Sequence, residues 1–237
     1  MHPHPELLTL FQERLSVSFT NLELLTQVFV HRSYLNEHKS FPVSHNERLE
    51  FLGDAVLELV VTDHLYRNYP NPEGELTAMR SSIVKGEMLA EVARSLGFSE
   101  LLLLSKGEAK SGGRDKGYLL ANAFEAFLGA LYLDKGYQAC DQLIQEHVIS
   151  HLAEIVEAKS FIDPKSRLQE YTQDKFGVTP TYTIVSETGP DHEKTFTVSV
   201  SVGESELAQG SGGSKQAAQV SAAEAALLKS EGAETPV

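Results

Sequence analysis

The sequence predicts an all-α helical bundle followed by a small α+β domain with the order helix, three strands, helix. Three observations predict it. Over residues 1–158 apolar residues recur at a helical period of ~3.6 residues. After Lys159 that period gives way to three short runs rich in Thr, Val and Ser. A helix start at Asp163-Pro164 and an alanine-rich segment near the C-terminus flank those runs. These features divide the chain into a first domain at 1–158, a linker at 159–163, a second domain at 164–231 and a tail at 232–237.

Each element follows from local chemistry. Thr20 and Glu23 form a capping-box pattern before Leu24, Leu25 and Val28. A second helix is predicted from about 46 to 66, stopped by Pro70-Asn71-Pro72. A third is predicted from about 75 to 96, with Gly97 as its stop. Residues 105–117 contain four glycines and read as a loop. Helices resume at about 118–134 and 137–158. In the second domain a short helix runs from Pro164 to about Phe176. Strands are predicted at 181–187, 194–200 and 206–212, and Ser214 opens the last helix through Ala217, Ala218, Ala222, Ala223, Ala225 and Leu228.

Composition narrows the function. The chain has 237 residues, 41% hydrophobic and 22% charged, the profile of a water-soluble protein. No apolar run approaches the ~18 residues of a membrane span, so no membrane partner is expected. Met1-His2-Pro3-His4-Pro5 lacks the basic start and apolar core of a signal peptide. Cys140 is the only cysteine, which excludes an internal disulfide and suits a reducing cytoplasm. The nine histidines show no paired ligand spacing for zinc. The net charge of −13 argues against a chain-wide phosphate-binding surface. It leaves room for a local basic strip and suits a cluster of carboxylates around a cation.

Such a cluster is present. Glu47, Glu50 and Asp54 stand at i, i+3 and i+7, so a helix projects them from one face with neighbouring Cβ atoms ~5–6 Å apart. Hard divalent cations prefer oxygen ligands of this kind. The competing reading is a solvated helix face with Arg48 as counterion. Asn122 and Glu125 add a second patch inside the nearly apolar run 119–130. An unpaired charge there is costly to bury, and a metal shared with Glu50 and Asp54 would compensate it. Gly53 costs the helix roughly 1 kcal/mol relative to alanine, which points to close approach of a neighbouring helix or ligand.

The run from Asn46 to Leu57 resembles the ribonuclease III family motif almost letter for letter. Leu119 to Asp134 resembles the second acidic segment of that family, and Tyr69 to Thr77 and Lys106 to Gly113 fit the linking pieces. The resemblance spans essentially the whole chain. It implies a metal-dependent endonuclease of double-stranded RNA that uses Mg2+, with Mn2+ as an alternative. It implies 5′-phosphate and 3′-hydroxyl ends, short 3′ overhangs, and work in rRNA and mRNA processing. By carry-over Glu50, Asp54, Asn122 and Glu125 bind metal, Asp54 and Glu125 being catalytic. Glu47, Glu73 and Glu108 match supporting acidic positions. The resemblance also implies a homodimer with Phe51 across its interface, whereas helix periodicity alone would equally admit Phe51 as core. The family often has aspartate where this chain has Asn122, which keeps an oxygen ligand and loses a charge.

Residues 162–230 resemble the double-stranded-RNA-binding domain, carried by 163–170, Gly189 to Lys194 and Gly210 to Lys215. Such domains read A-form shape through 2′-hydroxyls and phosphates. Gln169 and Glu170 on the first helix, His192 on the strand-linking loop, and Ser214 and Lys215 at the last helix start are the implied RNA contacts. Where the family usually has further lysines, this chain has Gln216 and Gln219. From residue 162 onward there are six basic and eleven acidic residues, a net of −5. Two rival readings follow from these departures: a non-catalytic double-stranded-RNA-binding relative and a protein-interaction scaffold.

Overall fold

The computed structural model describes residues 4–157, 161, 163–190 and 193–232. The chain divides into two compact units, Met1–Phe161 and Ile162–Val237.

The first unit is helical. Its elements are α1 (Pro5–Arg14), α2 (Leu22–Val28), α3 (Arg32–Glu37), α4 (Glu47–Asn68), α5 (Glu73–Ile83), α6 (Gly86–Ser95), α7 (Phe98–Leu101), α8 (Lys106–Lys110), α9 (Gly117–Lys135), α10 (Tyr137–His147) and α11 (Leu152–Glu157). Short 3-10 turns lie at Gly113–Asp115 and Ile149–His151. A single parallel bridge joins Val30 to Leu103. The continuous apolar run of α9 makes it the central helix, because a helix apolar on every side must be surrounded. Leu120, Phe124, Phe127, Leu128 and Leu131 are wholly buried there. Phe11, Phe29 and Phe98 form an aromatic cluster with its Phe127, with Phe11 edge-on to the other three at centroid distances of 5.1–5.5 Å. Helix α4, which buries Leu49, Gly53, Val56, Leu57 and Val60, lies against α9, with Leu49 and Gly53 at the contact.

Several elements differ from the sequence reading. The predicted helix at 75–96 is two helices, because Lys85 adopts an extended conformation (φ −62°, ψ 144°) and starts α6 afresh. Gly97 does end the second of them in the left-handed region at φ +82°. The predicted loop at 105–117 contains α8, whose first turn is capped by the Ser105 hydroxyl accepting from Glu108 N at 3.2 Å. The predicted helix at 137–158 breaks at Val148, and Ala158 lies outside the described residues. The cap of α2 is not Thr20. Asn21 accepts from the N–H groups of Glu23 and Leu24 instead. The buried Asp134 carboxylate accepts from the N–H groups of Thr20 and Asn21 at 2.8 Å each, and the Thr20 hydroxyl is taken by Lys135. A carboxylate from 113 residues away thus anchors the backbone ahead of the cap, and Asn21 does the capping.

The second unit has the predicted order: α12 (Pro164–Phe176), β1 (Thr181–Thr188), β2 (Thr195–Val202), β3 (Ser205–Gly212) and α13 (Lys215–Gly232). The Asp163 side chain caps α12 by accepting from Lys165 N and Ser166 N. The strands form an antiparallel sheet in the order β1-β2-β3. Helix α13 sits close on β3 because small residues face each other. Ala218, Ala222, Ala223 and Ala226 are buried, and a methyl group at Gly210 would overlap the Ala222 backbone.

Candidate functional site

The acidic site is built where α4 crosses α9. Asn46 is buried ahead of α4, donating its side-chain amide to Val28 O at 2.9 Å and its backbone N–H to Val30 O at 3.0 Å. This fixes the start of α4 and therefore the rotation of its acidic face. About two turns further, Gly53 meets α9 backbone to backbone. A methyl group at Gly53 would overlap the carbonyl of Glu125, and one at Gly129 would overlap the carbonyl of Leu49. The mid-helix glycine that the sequence flagged is thus explained by helix approach, and the approach brings Glu125 to the acidic face of α4.

Electrostatics follow from that placement. Glu125 is half-buried, and its carboxyl is pushed up to about 7 by burial and then by the charges of Asp54 and Glu50. Glu50 is also raised, first by burial, then by Glu47. The Asn122 amide opposes this by hydrogen bonding to the charged form of Glu50. Asp54 is exposed. The structure therefore brings together Glu50, Asp54, Asn122 and Glu125, with Glu47 beside them.

Glu47 pairs with Arg32 Nε at 2.9 Å, and His45 Nδ1 lies 3.8 Å from it. Glu108 pairs with Lys116 Nζ at 2.7 Å, which holds its carboxyl below the usual range. His31 lies within electrostatic reach of both Glu108 and Glu47, and burial lowers its pKa. Its Nδ1 accepts from Ser33 N, and the Ser33 hydroxyl accepts from Ser105 N at 3.1 Å. Sequence reasoning missed His31, Arg32 and Lys116. They come from the starts of two helices far apart in sequence, His31 and Arg32 at α3 and Lys116 at α9, and no spacing rule links the two. Glu73 is exposed at the start of α5, accepts from Thr77 and lines a groove with Tyr66 and Arg80, two to three turns beyond Asp54 along α4. It stands apart from the α4–α9 cluster. Phe51 is 81% exposed, which removes it from the core of this unit.

The donor set suits a hard divalent cation in kind: carboxylate and amide oxygens whose mutual repulsion a positive ion would relieve. Among the described residues no three His, Cys, Asp or Glu side chains form a ready-made cage. An ion of the magnesium type does not need one, since it keeps several waters and takes few carboxylates.

In the second unit Gln169 and Glu170 are exposed on α12. The Ser214 hydroxyl is engaged as the cap of α13, accepting from Ala217 N at 3.1 Å. Lys215 lies 3.6 Å from Glu187 and 5.7 Å above the Phe196 ring. Gln219 accepts from Lys165 Nζ at 2.7 Å. His192 lies outside the described residues.

Comparison with known proteins places both units. Residues 21–152, more than half of the chain, match the family model described as Ribonuclease-III-like. The chain belongs to the ribonuclease III family. Residues 164–230 match the double-stranded RNA binding motif. Ribonuclease 3 of Streptococcus thermophilus is 46% identical over 220 residues, covering 91% of this chain and 94% of the relative. Ribonuclease 3 of Borreliella burgdorferi is 45% identical over 223 residues, covering 93% and 90%. The nuclease domain of ribonuclease III from Campylobacter jejuni, described for structural flexibility in a region involved in dimer formation, has a TM-score of 0.55. It is 32% identical and covers 59% of this chain and 94% of that one. As a ribonuclease III with both segments, this chain is an endoribonuclease of double-stranded RNA, and its family is divalent-metal-dependent. Among the described residues no helix is long and apolar enough to cross a membrane.

Proposed function

We propose that this chain cleaves double-stranded RNA at the α4–α9 crossing, using Mg2+ (or Mn2+) held by Glu50, Asp54, Asn122 and Glu125. The observation that carries the reading is the backbone contact at Gly53, which sets the half-buried Glu125 against the carboxylates of α4. When bound, such an ion lowers the pKa of a water and stabilises the leaving oxygen. The chain's own residues do the rest. Glu125 and Asp54 are the catalytic carboxylates, and Glu125 must lose its proton to serve as a ligand. Asn122 favours the charged form of Glu50 against the burial and the neighbouring carboxylates that oppose it. Glu47 and Glu108, each held by a cation, and Glu73 support the site from outside.

The products are 5′-phosphate and 3′-hydroxyl ends with short 3′ overhangs, cut by a homodimer with one site per subunit. Phe51 belongs to its interface. In the second unit Gln169, Glu170, His192, Ser214 and Lys215 face the duplex. The enzyme works in the cytoplasm on rRNA and mRNA precursors. A reducing compartment suits Cys140, which is buried with its thiol pushed up to about 12 and has no partner cysteine.

A cleavage assay on long duplex RNA, with Mg2+ or Mn2+ and with chelator, tests the core of the proposal. Cutting that needs the metal, with products ligatable as 5′-phosphates, is the expected result. A duplex left intact with either metal would make the chain a binder alone. Cutting that persists in chelator would remove the metal role.

A further inference from the structure

The arrangement that the proposed reaction leaves unused lies in the second unit, at one end of the sheet. Glu187 is near the end of β1, paired in register with Phe196 on β2. Its two carboxylate oxygens face different lysines. One lies 3.7 Å from Lys194 Nζ, just ahead of β2, and the other lies 3.6 Å from Lys215 Nζ, at the start of α13. The Phe196 ring lies beneath Lys215 and steadies it. The two sides of the β1–β2 hairpin and the start of α13 therefore meet at one carboxylate. The unit has little positive charge to spare, with six basic residues from position 162 onward. Lys165, Lys175 and Lys229 already donate to Gln219, Tyr171 and the Leu207 carbonyl.

We infer that Glu187 is an intramolecular competitor for RNA phosphate, occupying Lys215, which a duplex backbone would take, and thereby holding down both the affinity and the salt dependence of RNA binding. The inference rests on reading Lys215 as a phosphate contact. Both ion pairs are water-accessible, so each is weak and opens readily. A phosphate arriving at Lys215 brings a second anion beside Glu187. Either the pair opens and Glu187 gathers a cation from solution, or the phosphate is repelled. Both reduce the net number of counterions released on binding, which is what the salt slope measures. A glutamate that only pre-oriented the lysines would have the opposite sign, since its loss would weaken binding.

The test is duplex-RNA binding by the full chain in chelator, which suppresses cleavage, across a salt series. Glu187→Gln keeps size and polarity and removes the charge. Binding about 2- to 5-fold tighter is expected, the range of an exposed ion pair, with a salt slope steeper by up to about one unit. In the Glu187→Gln, Lys215→Ala double variant most of that gain should vanish. Lys215→Ala alone should make the slope shallower by about one. If Lys215→Ala changes nothing, the phosphate-contact reading fails and the inference falls with it. If Lys215→Ala acts as stated while Glu187→Gln binds equally or more weakly, the competitor role alone is overturned. Glu187→Thr, suited to a strand, carries the same expectation should the glutamine variant fold poorly.

Discussion

Gly53 touches the backbone carbonyl of Glu125 so closely that no side chain fits between them. The contact couples fold to chemistry, because the same carbonyl belongs to the residue that completes the acidic cluster. Gly53→Ala should therefore push α4 and α9 apart. Alanine gains up to about 1 kcal/mol of helix propensity, and overpacking costs about 1–3 kcal/mol or more, so a net loss of stability is expected. Cleavage should fall at least 10-fold, as small displacements in a reacting site do. Gly74, where a methyl group meets nothing within 4 Å, is the control, and Gly74→Ala should keep stability or raise it by up to about 1 kcal/mol. Thermal melts and single-turnover cleavage of both variants decide it. Full activity in Gly53→Ala would show that the crossing does not set the site.

Glu125 makes stability and activity run in opposite directions with pH. Its folded pKa, about 7, lies above its ordinary value of 4.5. The proton is bound more tightly in the folded state, so this stabilisation is complete below ~4.5 and is lost as pH rises through ~7. In chelator, the melting temperature of the wild type should decline from pH 5 to 8 more steeply than that of Glu125→Gln. Added Mg2+ should restore the wild type at pH 8 and do less for the variant, because binding to the folded state alone stabilises it. Cleavage should rise through pH 7 and be lost in Glu125→Gln, with duplex binding retained. Identical pH–stability curves for the two proteins would refute the assignment.

The helices α4 and α9, the three strands and the acidic face of α4 were legible because each rests on a repeating local pattern, and Glu125 was legible as an acid set in an apolar run. Period 3.6 marks α4 and α9, and the mid-helix position of Gly53 signals that something approaches. What the sequence could not reveal is non-local. Lys85 breaks a helix pattern that periodicity alone runs straight through, since its neighbours on both sides keep the apolar spacing. Asn21 supplies the cap that Thr20 was expected to supply, and it is held for that by Asp134, 113 residues away, which accepts from the N–H groups of Thr20 and Asn21. Glu187 carries no motif at all, and its meaning depends on two lysines brought to it by the sheet and by α13.

Asn122 faces Glu50 with an amide that favours the carboxylate form. Aspartate at this position would exchange that support for a like charge. Without metal, Asn122→Asp should raise the pKa of Glu50 further and lower the melting temperature at neutral pH. With metal, the added charge should strengthen the site and cut the Mg2+ needed for half-maximal rate several-fold. A magnesium titration of cleavage on both proteins measures this. An unchanged or increased requirement would mean that the amide oxygen already serves the ion as well as a carboxylate.

Phe51 sits between Glu50 and Asp54 in sequence yet leaves 81% of its surface to solvent within this chain. Leu59 and Tyr66 on the same helix are 57% and 79% exposed. At 100° per residue the three fall within about an 80° sector, so α4 presents an apolar stripe beside its acidic face. Apolar surface of this kind gains from being covered, and a two-fold partner would bring the same stripe against itself or its neighbour. Phe51→Asp should place an unpaired charge in that contact and weaken the dimer at least 10-fold, with little effect on the fold of the separate chain because the side chain is already in water. Sedimentation velocity over a concentration series is the measurement, with circular dichroism to verify folding. A folded Phe51→Asp protein that stays dimeric at the same concentrations as the wild type would move the interface elsewhere on the first unit.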